Sequence, residues 1–443
     1  MYSGTTMKTF LILPHQLFDK KHLITPHEYK YLIWEHPHYF KKYKYNKKKL
    51  VLHRASMKYY QEYLKNNGYT VQYCDFQTTP KHNGVDMFDP IDKIKIPKVR
   101  EVFDTPACLL TRQHLQEYKA KRKDVYMFHW FLQYGKDIVD IIPDVKSKDK
   151  ENRKKYPKRI EFPKLPSLSK TDKSFIEEAQ TYVDKHFPKN YGNTANFIFP
   201  VTHATVEKWF KHFLKTRLND FGTYQDAIDK DNDFGFHSCL SSSMNCGLLT
   251  PADIITEIRD WKDKVNLNSY EGYIRQLFWR EYQRYCYIYF DFSKKKNYFG
   301  NRKKLTKAWY EGTTGCEPVD DCIKRGFEQG YLNHIQRLMI MGNYMNLSGI
   351  NPWEGLRWFI EFSCDSYEWV MYQNVLDMAF CVTGGRTGGG TMQKPYISSS
   401  NYVLKMSNYK KGEWSKAWDA LYHAFLKKHR TKMLPFKYYF RSL

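Results

Sequence analysis

An N-terminal α/β domain with a parallel, Rossmann-like sheet, followed by a large all-α domain, is the fold class this sequence predicts. Three observations carry it. Short apolar runs alternate with a stretch of helical spacing near the start of the chain. A charged, proline-containing segment without periodicity follows. From about Val206 onward, apolar residues recur at the three-and-four spacing of amphipathic helices.

Residues 9–13 (TFLIL) and 31–34 (YLIW) read as short buried strands, being dominated by aliphatic and aromatic residues. Residues 49–66 carry helical spacing, and residues 69–73 alternate as a third strand does. Strand, strand, helix, strand suggests a parallel sheet with crossover connections. The first strand runs into Pro14-His15-Gln16 rather than a glycine-rich phosphate loop, which argues against an ordinary dinucleotide site there. Residues 146–164 read as a linker with a basic cluster: Arg153, Lys154, Lys155, Lys158 and Arg159. Helices are expected over 206–218, 251–263, 270–289, 319–347, 352–362 and 414–429, and Pro251 and Pro352 suit first-turn positions. Residues 384–390 (GGRTGGG) read as a flexible loop. The resulting division is 7–145, an α/β domain; 146–200, a basic linker; and 201–443, a helical domain. Residues 1–6 precede a second methionine and read as a loose extension.

The chain has 443 residues, enough for two or three domains. Lys+Arg is 71 against Asp+Glu 47, a net charge of +24 that favours a polyanionic partner such as nucleic acid. A merely lysine-rich surface is the plain alternative. Aromatics make up 17% of the chain, which suits base stacking or a flat aromatic cofactor as well as core filling. The nine cysteines include no C-x-x-C pair, which disfavours a zinc ribbon and a redox motif. Their odd number, with no secretory leader in view, fits a reducing intracellular setting, nucleus or cytoplasm. No apolar run approaches the ~18 residues of a membrane span.

Residues 331–344 (YLNHIQRLMIMGNY) place His334 and Arg337 three apart in an apolar helical run, so the spacing aims both at one spot. A buried charge needs a partner, and a histidine beside it can move protons. Residues 237–251 (HSCLSSSMNCGLLTP) crowd hydroxyls before a helix start, which suits either a phosphate or an elaborate N-cap. Residues 270–289 hold Arg275, Gln276, Arg280 and Glu281 among aromatics; 276 and 280 share a face, and a surface salt-bridged helix is the commoner meaning of such a pattern.

FHSCLSSSMNCGLLTP, IRQLFWREYQRYCY, WYEGTTG, NHIQRLMIMGNY, EWVMYQNVLDM and KPYISSSNYVLKMSNY occur in this order. Together they resemble the prokaryotic branch of the photolyase/cryptochrome family, whose bacterial members are (6-4) photolyases and related photoreceptors with an iron–sulfur cluster. The resemblance runs from about residue 8 to 430 and is strongest in the C-terminal two-thirds. It implies an antenna-type N-terminal domain and a helical domain holding bent FAD. It also implies blue-light-driven electron transfer from reduced flavin to a (6-4) lesion flipped out of UV-damaged DNA. A DNA-repair lyase acting as a monomer is the leading expectation; a cryptochrome-like photoreceptor without repair is the alternative.

By that resemblance, His237, Ser238, Leu240 and Ser241 fall in the diphosphate-binding turn, and Arg275, Gln276, Arg280 and Glu281 along the flavin. Arg337 and Asp365 match an ion pair beside the isoalloxazine, and Met371 and Asn374 complete the cofactor set. His334 matches the histidine facing the lesion, where it assists proton transfer, and Tyr396 and Tyr402 match tyrosines near the lesion. Trp358 matches a tryptophan of the photoreduction chain, while Tyr310 stands where another tryptophan is usual. The basic cluster from Arg153 to Arg159 is the expected DNA contact.

The chain also departs from the pattern. Lys410, Glu413 and Lys416 stand where cluster cysteines are usual, and Pro318 replaces the upstream ligand although Cys316 and Cys322 are near. Iron–sulfur clusters need about four thiolates, so no cluster and no other metal is expected. Asn333 replaces the first histidine of a usual pair. Met371 stands where an amide or carboxylate usually faces flavin N5, and a thioether is a weak acceptor. An antenna pigment of the lumazine or deazaflavin type is possible but unsupported by Pro14-His15-Gln16, Glu35, His36, His38 and residues 47–49.

Overall fold

The protein is described from a computed structural model covering residues 7–23, 28–121, 128–140, 147–294, 296–436 and 439, with the side chains at 386 and 388 left out. The extension at 1–6 and the first linker residue, 146, lie outside the described residues. The chain forms two compact units: residues 1–112, 165–212 and 239–257, and residues 113–164, 213–238 and 258–443.

The first unit is built on five parallel strands: β1 (Lys8–Ile12), β2 (Tyr29–Trp34), β3 (Thr70–Cys74), β4 (Val85–Phe88) and β5 (Val99–Phe103). Their order is β3-β2-β1-β4-β5, with β1 central and Phe10 to Ile12 sealed from solvent. The strands expected near residues 9, 31 and 69 are β1 to β3; β4 has only four residues, and β5 (VREVF) is charged and largely exposed, so neither stands out by pattern. The helix Lys47–Asn66 follows β2 and packs against the helix Lys170–His186.

That second helix corrects the expected linker over 146–200. Ile176, Ala179 and Val183 form a buried stripe at helical spacing. Ser169 and Asp172 close a capping box, and the buried Asp172 carboxylate also accepts the Val201 and Thr202 amides at 3.0 and 3.1 Å. The surrounding lysines hide this period in the sequence.

The second unit is helical. Its longest helix, Leu267–Tyr289, packs against Phe128–Val139 and Glu368–Gln373. The continuous helix expected over 319–347 is two helices. Glu317–Gln329 stops at Gly330, whose φ of 64° is the left-handed conformation that ends helices. The chain restarts at His334 and runs through a π-helical segment, Gln336–Gly342, into Asn343–Leu347. A second π segment, Asn374–Ala379, meets the first where Gly342 faces Ala379; a Cβ on Gly342 would lie 2.8 Å from the Ala379 Cβ. The glycine-rich loop is pinned at both ends. The buried Asp377 accepts the Thr391 amide at 2.7 Å, the Met392 amide at 3.2 Å and the hydroxyls of Thr383 and Thr391.

Candidate functional site

A cavity of about 790 Å³ lies within the helical unit, a size typical of ligand pockets. The helix Leu267–Tyr289 supplies Arg275, Gln276, Trp279 and Gln283, which recur at helical spacing along one stripe. The π segments supply Leu338, Met339, Asn374 and Met378, with His334 and Ile335 just upstream. π segments are rare and recur at functional sites, so two on one cavity single it out. Residues 394–405 add Lys394, Tyr396 and Tyr402, and the 147–153 and 225–226 stretches add Asp149, Arg153 and Asp226.

The polar wall is an interlocked set of charges. Arg275 Nε donates to Glu271 Oε1 at 3.0 Å and Nη1 to Asp149 Oδ1 at 3.2 Å. Arg153 pairs with Asp149 and stands 3.9 Å from Asp226. Burial pushes the Asp226 carboxyl up to about 6, with Arg153 opposing and Asp149 reinforcing the shift. Burial lowers the Lys394 ammonium, and Arg153 adds to that. Two groups remain unsatisfied: Arg275 Nη2 and Asn374 Oδ1 are buried with no hydrogen-bond partner among the described residues. Orphaned buried polar atoms are uncommon, and at a cavity wall they point to a missing ligand. A flat aromatic wall stands on the same cavity, where Phe128 stacks on Trp279 at 3.6 Å and 11°.

His334 is open to the cavity but enclosed by surrounding protein. Desolvation pulls its pKa down to about 4, Arg337 pushes the same way and Asp149 opposes. It is therefore neutral near pH 7, able to accept a proton. Burial raises both phenols facing the cavity, Tyr396 with Asp149 and Tyr402 with Asp226 as the next contributors.

Other sequence-predicted residues fall elsewhere. Arg337 does not share His334's target: its guanidinium grips Asp365 at 2.9 and 3.1 Å, and its Nε donates to the Leu332 carbonyl at 2.7 Å. Neither Arg337 nor Asp365 lines the cavity. The pairing expected from the resemblance is present, while the shared aim expected from spacing is not, because the helix is wound differently from Gln336 onward. Asn333 also turns away from the cavity. Its Oδ1 accepts the Gln336 amide at 3.0 Å while Gln336 Oε1 accepts the Asn333 amide at 3.0 Å, a reciprocal cap that starts the helix.

Arg280, one residue beyond the cavity stripe, instead covers the Trp369 ring at 4.8 Å. Glu281 and Met371 are buried off the cavity. His237, Ser238, Leu240 and Ser241 do not line it either. His237 offers its carbonyl to Arg217 Nη1 at 3.0 Å, and its imidazole is lowered to about 4 by burial, then Arg217 and His334. Cys239 takes a positive φ of 56°, a strained turn for a non-glycine residue. The hydroxyls of Ser242 and Ser243 are buried without a hydrogen-bond partner among the described residues.

Of the basic cluster, only Arg153 reaches the cavity; Lys154, Lys155, Lys158 and Arg159 are exposed. Trp358 is fully buried and donates to the Trp309 carbonyl at 2.7 Å, and Tyr310 donates to Glu361 at 2.8 Å. Cys316 and Cys322 are held as thiols, each pushed up to about 12, chiefly by burial. Glu413 and Lys416 pair with each other on an exposed face at 2.7 Å. Among the described residues no cluster of three or more ligating side chains could hold a metal, and no helix is long and apolar enough to cross a membrane. Sequence reading missed Asp149 and Asp226, which lie in aperiodic segments far apart in the chain; Asp149 stands out only as an acid among lysines, and Asp226 is one of several aspartates between 220 and 233.

Similarity to known proteins agrees with this architecture. The profile of the deoxyribodipyrimidine photo-lyase-related protein family matches residues 10–99 and 90–199. A (6-4) photolyase of Agrobacterium fabrum is 36% identical over 303 residues, which is 64% of this chain and 58% of that protein. The chain thus matches less than two-thirds of that relative's length. A bacterial class III photolyase from Agrobacterium tumefaciens superposes with a TM-score of 0.61 at 12% identity, over 99% of this chain and 90% of that one. A Synechocystis cryptochrome gives 0.58 at 15% identity, over 96% and 94%. At those identities the superpositions speak for the fold alone. The ordered motifs, the profile match over residues 10–199 and the superpositions thus all point to similarity with the photolyase/cryptochrome family.

Proposed function

We propose that this protein is an FAD-dependent, blue-light-driven DNA photolyase acting on (6-4) lesions. The observation that carries the reading is the cavity itself: a neutral imidazole, His334, and two phenols, Tyr396 and Tyr402, line one space together with unsatisfied polar groups of Arg275 and Asn374. The 36%-identical relative described as a (6-4) photolyase supports the lesion assignment.

The residues present fit FAD. Arg275 Nη2 is an orphaned donor for a ring carbonyl or a phosphate oxygen, and Asn374 Oδ1 is an orphaned acceptor for a ring N–H. Gln276 stands beside them on the same helix stripe, and the Phe128–Trp279 stack offers an apolar face. When bound and reduced, the flavin supplies the light-driven electron. Everything else belongs to the chain. His334 is the proton acceptor and donor for the lesion's migrating hydroxyl. Tyr396 and Tyr402 orient the lesion through their hydroxyls. The Arg337–Asp365 pair positions the helix that carries His334. Exposed Lys154, Lys155, Lys158 and Arg159 bind DNA phosphates, in keeping with the +24 charge.

DNA phosphates brought to the site raise the His334 pKa from about 4 toward neutrality, since nearby negative charge favours the protonated form. The test is blue-light illumination of the reduced protein with an oligonucleotide carrying one (6-4) photoproduct. Loss of the lesion is expected, and His334→Ala is expected to abolish repair by at least about a hundredfold while keeping FAD. An unchanged lesion with normal flavin photochemistry would reject repair in favour of a photoreceptor; undiminished repair by His334→Ala would reject the role given to that residue.

A further inference from the structure

We infer that Tyr310 and Glu361 form a proton-coupled one-electron donor at the outer end of an aromatic file, with Glu361 taking the phenol proton. The inference rests on the light-driven reading above. It adds a base that neither the motifs nor the resemblance assigns.

The file has a buried and an accessible end. Trp358 is completely buried. Its ring stands 5.9 Å from Phe327, edge to face, and Phe327 stands 6.0 Å from Tyr310. A second route runs through the hydrogen bond from Trp358 Nε1 to the carbonyl of Trp309, the residue covalently next to Tyr310. Tyr310 itself is only half-buried, so an external reductant can reach the outer end.

A tyrosine in such a place is hard to oxidise unless its proton has somewhere to go, because an oxidised phenol is a very strong acid. Here the proton has a place. Tyr310 Oη donates to Glu361 Oε2 at 2.8 Å, and Glu361 is 4% exposed. Trp358 and Glu361 sit three apart on the helix Pro352–Phe362, so one helix holds the electron acceptor and the proton acceptor on neighbouring positions. Arg357 faces the same pair and keeps the carboxylate company while donating to Glu354 at 2.9 Å. Burial and the Glu361 charge hold the phenol well above its ordinary range, so Tyr310 is a neutral phenol at the outset.

The step balances as follows. Trp358, oxidised by one electron to its indole radical cation by a light-excited flavin, receives one electron from Tyr310 and becomes neutral again. The Tyr310 O–H bond breaks and its proton passes to Glu361 Oε2. The products are a neutral tyrosyl radical and a neutral Glu361 carboxylic acid. The charge separated by light is thus stored as a neutral radical near the surface, and the return of the electron requires the return of the proton.

Laser-flash transient absorption and electron paramagnetic resonance on the purified, flavin-loaded full chain test this. A neutral tyrosyl radical is expected to appear as the tryptophan radical decays, more slowly in D₂O than in H₂O. Tyr310→Phe removes only a hydroxyl and should abolish the tyrosyl signal. Glu361→Gln keeps a hydrogen-bond partner of the same size but no base, and should slow the step roughly a hundredfold. Tyr310→Trp should restore a long-lived radical without the isotope effect. A tyrosyl signal that survives Tyr310→Phe, or a wild-type step indifferent to D₂O, overturns the inference, and so does an unchanged rate in a folded Glu361→Gln. A chain that holds no flavin would overturn the light-driven reading instead. An external ruthenium polypyridyl photo-oxidant would then run the same comparison of wild type, Tyr310→Phe and D₂O.

Discussion

Glu35 and Glu271 are both buried carboxylates paired with an arginine, one in each unit, and their surroundings differ in one respect. Glu35 receives Arg54 at 2.9 Å, Tyr73 at 2.5 Å, Tyr182 at 2.8 Å and the Phe76 amide at 3.2 Å. Arg54 then turns its Nε to Glu178 at 3.1 Å. Glu271 receives Arg275 at 3.0 Å and the Lys148 amide at 3.2 Å, but Arg275 keeps one buried nitrogen without a partner. A saturated network ties elements together; a network with one open valence on a cavity is arranged for something that arrives later. Glu35 looked in the sequence like an unusual polar group near a possible pigment site, and its four donors make it a fastener of the sheet.

The contrast can be broken first at Glu35. Glu35→Ala leaves Arg54 and two tyrosines facing an emptied pocket, and should cost about 3–5 kcal/mol of unfolding free energy in urea titration. A loss under about 1 kcal/mol would mean that the network is decorative.

Acid should loosen both units, because His237 and His334 in the helical unit are lowered by burial as the sheet unit's histidines are. His15 is buried and its folded pKa is near 4 against an ordinary 6.5, through burial, with the Pro90 carbonyl and Asp89 opposing and His36 reinforcing. His38 and His53 are lowered too, chiefly by burial. A histidine lowered in the folded state contributes stability above its unfolded pKa and loses it as pH falls. The sheet unit should therefore weaken between pH 6.5 and about 4, and amide exchange should rise there. Exchange in the Lys47–Asn66 helix that is flat over that range would exclude this account.

A milder probe is Arg275→Lys, which keeps a charge beside Glu271 but gives up the planar fork. Stability should stay within about 1 kcal/mol while FAD affinity falls about tenfold. Equal flavin content in both proteins would show that the open valence serves another ligand. The smallest effect is expected at Asn333, where Ala removes a helix cap and should cost about 1 kcal/mol in thermal melts. A larger loss, or lost lesion binding with unchanged stability, would return Asn333 to the site.

How far the sequence could be read follows the same physics. Strands β1 to β3 and most helices are legible because apolar spacing is a local property. The break at Gly330 was hidden because apolar residues continue on both sides of it. The Lys170–His186 helix was hidden because lysines blur its stripe. In the site, His334, Tyr396 and Tyr402 could be named from ordered motifs. Asp149 and Asp226 could not, since their meeting is made by the fold and neither stretch has a period.

The two π segments carry a consequence for descent. A π turn holds one more residue than the α turn it replaces, so removing a single residue from Gln336–Gly342 would restore an ordinary helix. Because the extra residue is absorbed within that turn, the flanking side chains would keep their faces and only those of the segment itself would be redistributed. The inward pair Leu338 and Met339 is thus chosen by the count of residues as much as by their identity. One-codon insertions and deletions here would retune the cavity without touching a single lining residue, and gapless alignments across this stretch would compare positions that face different ways.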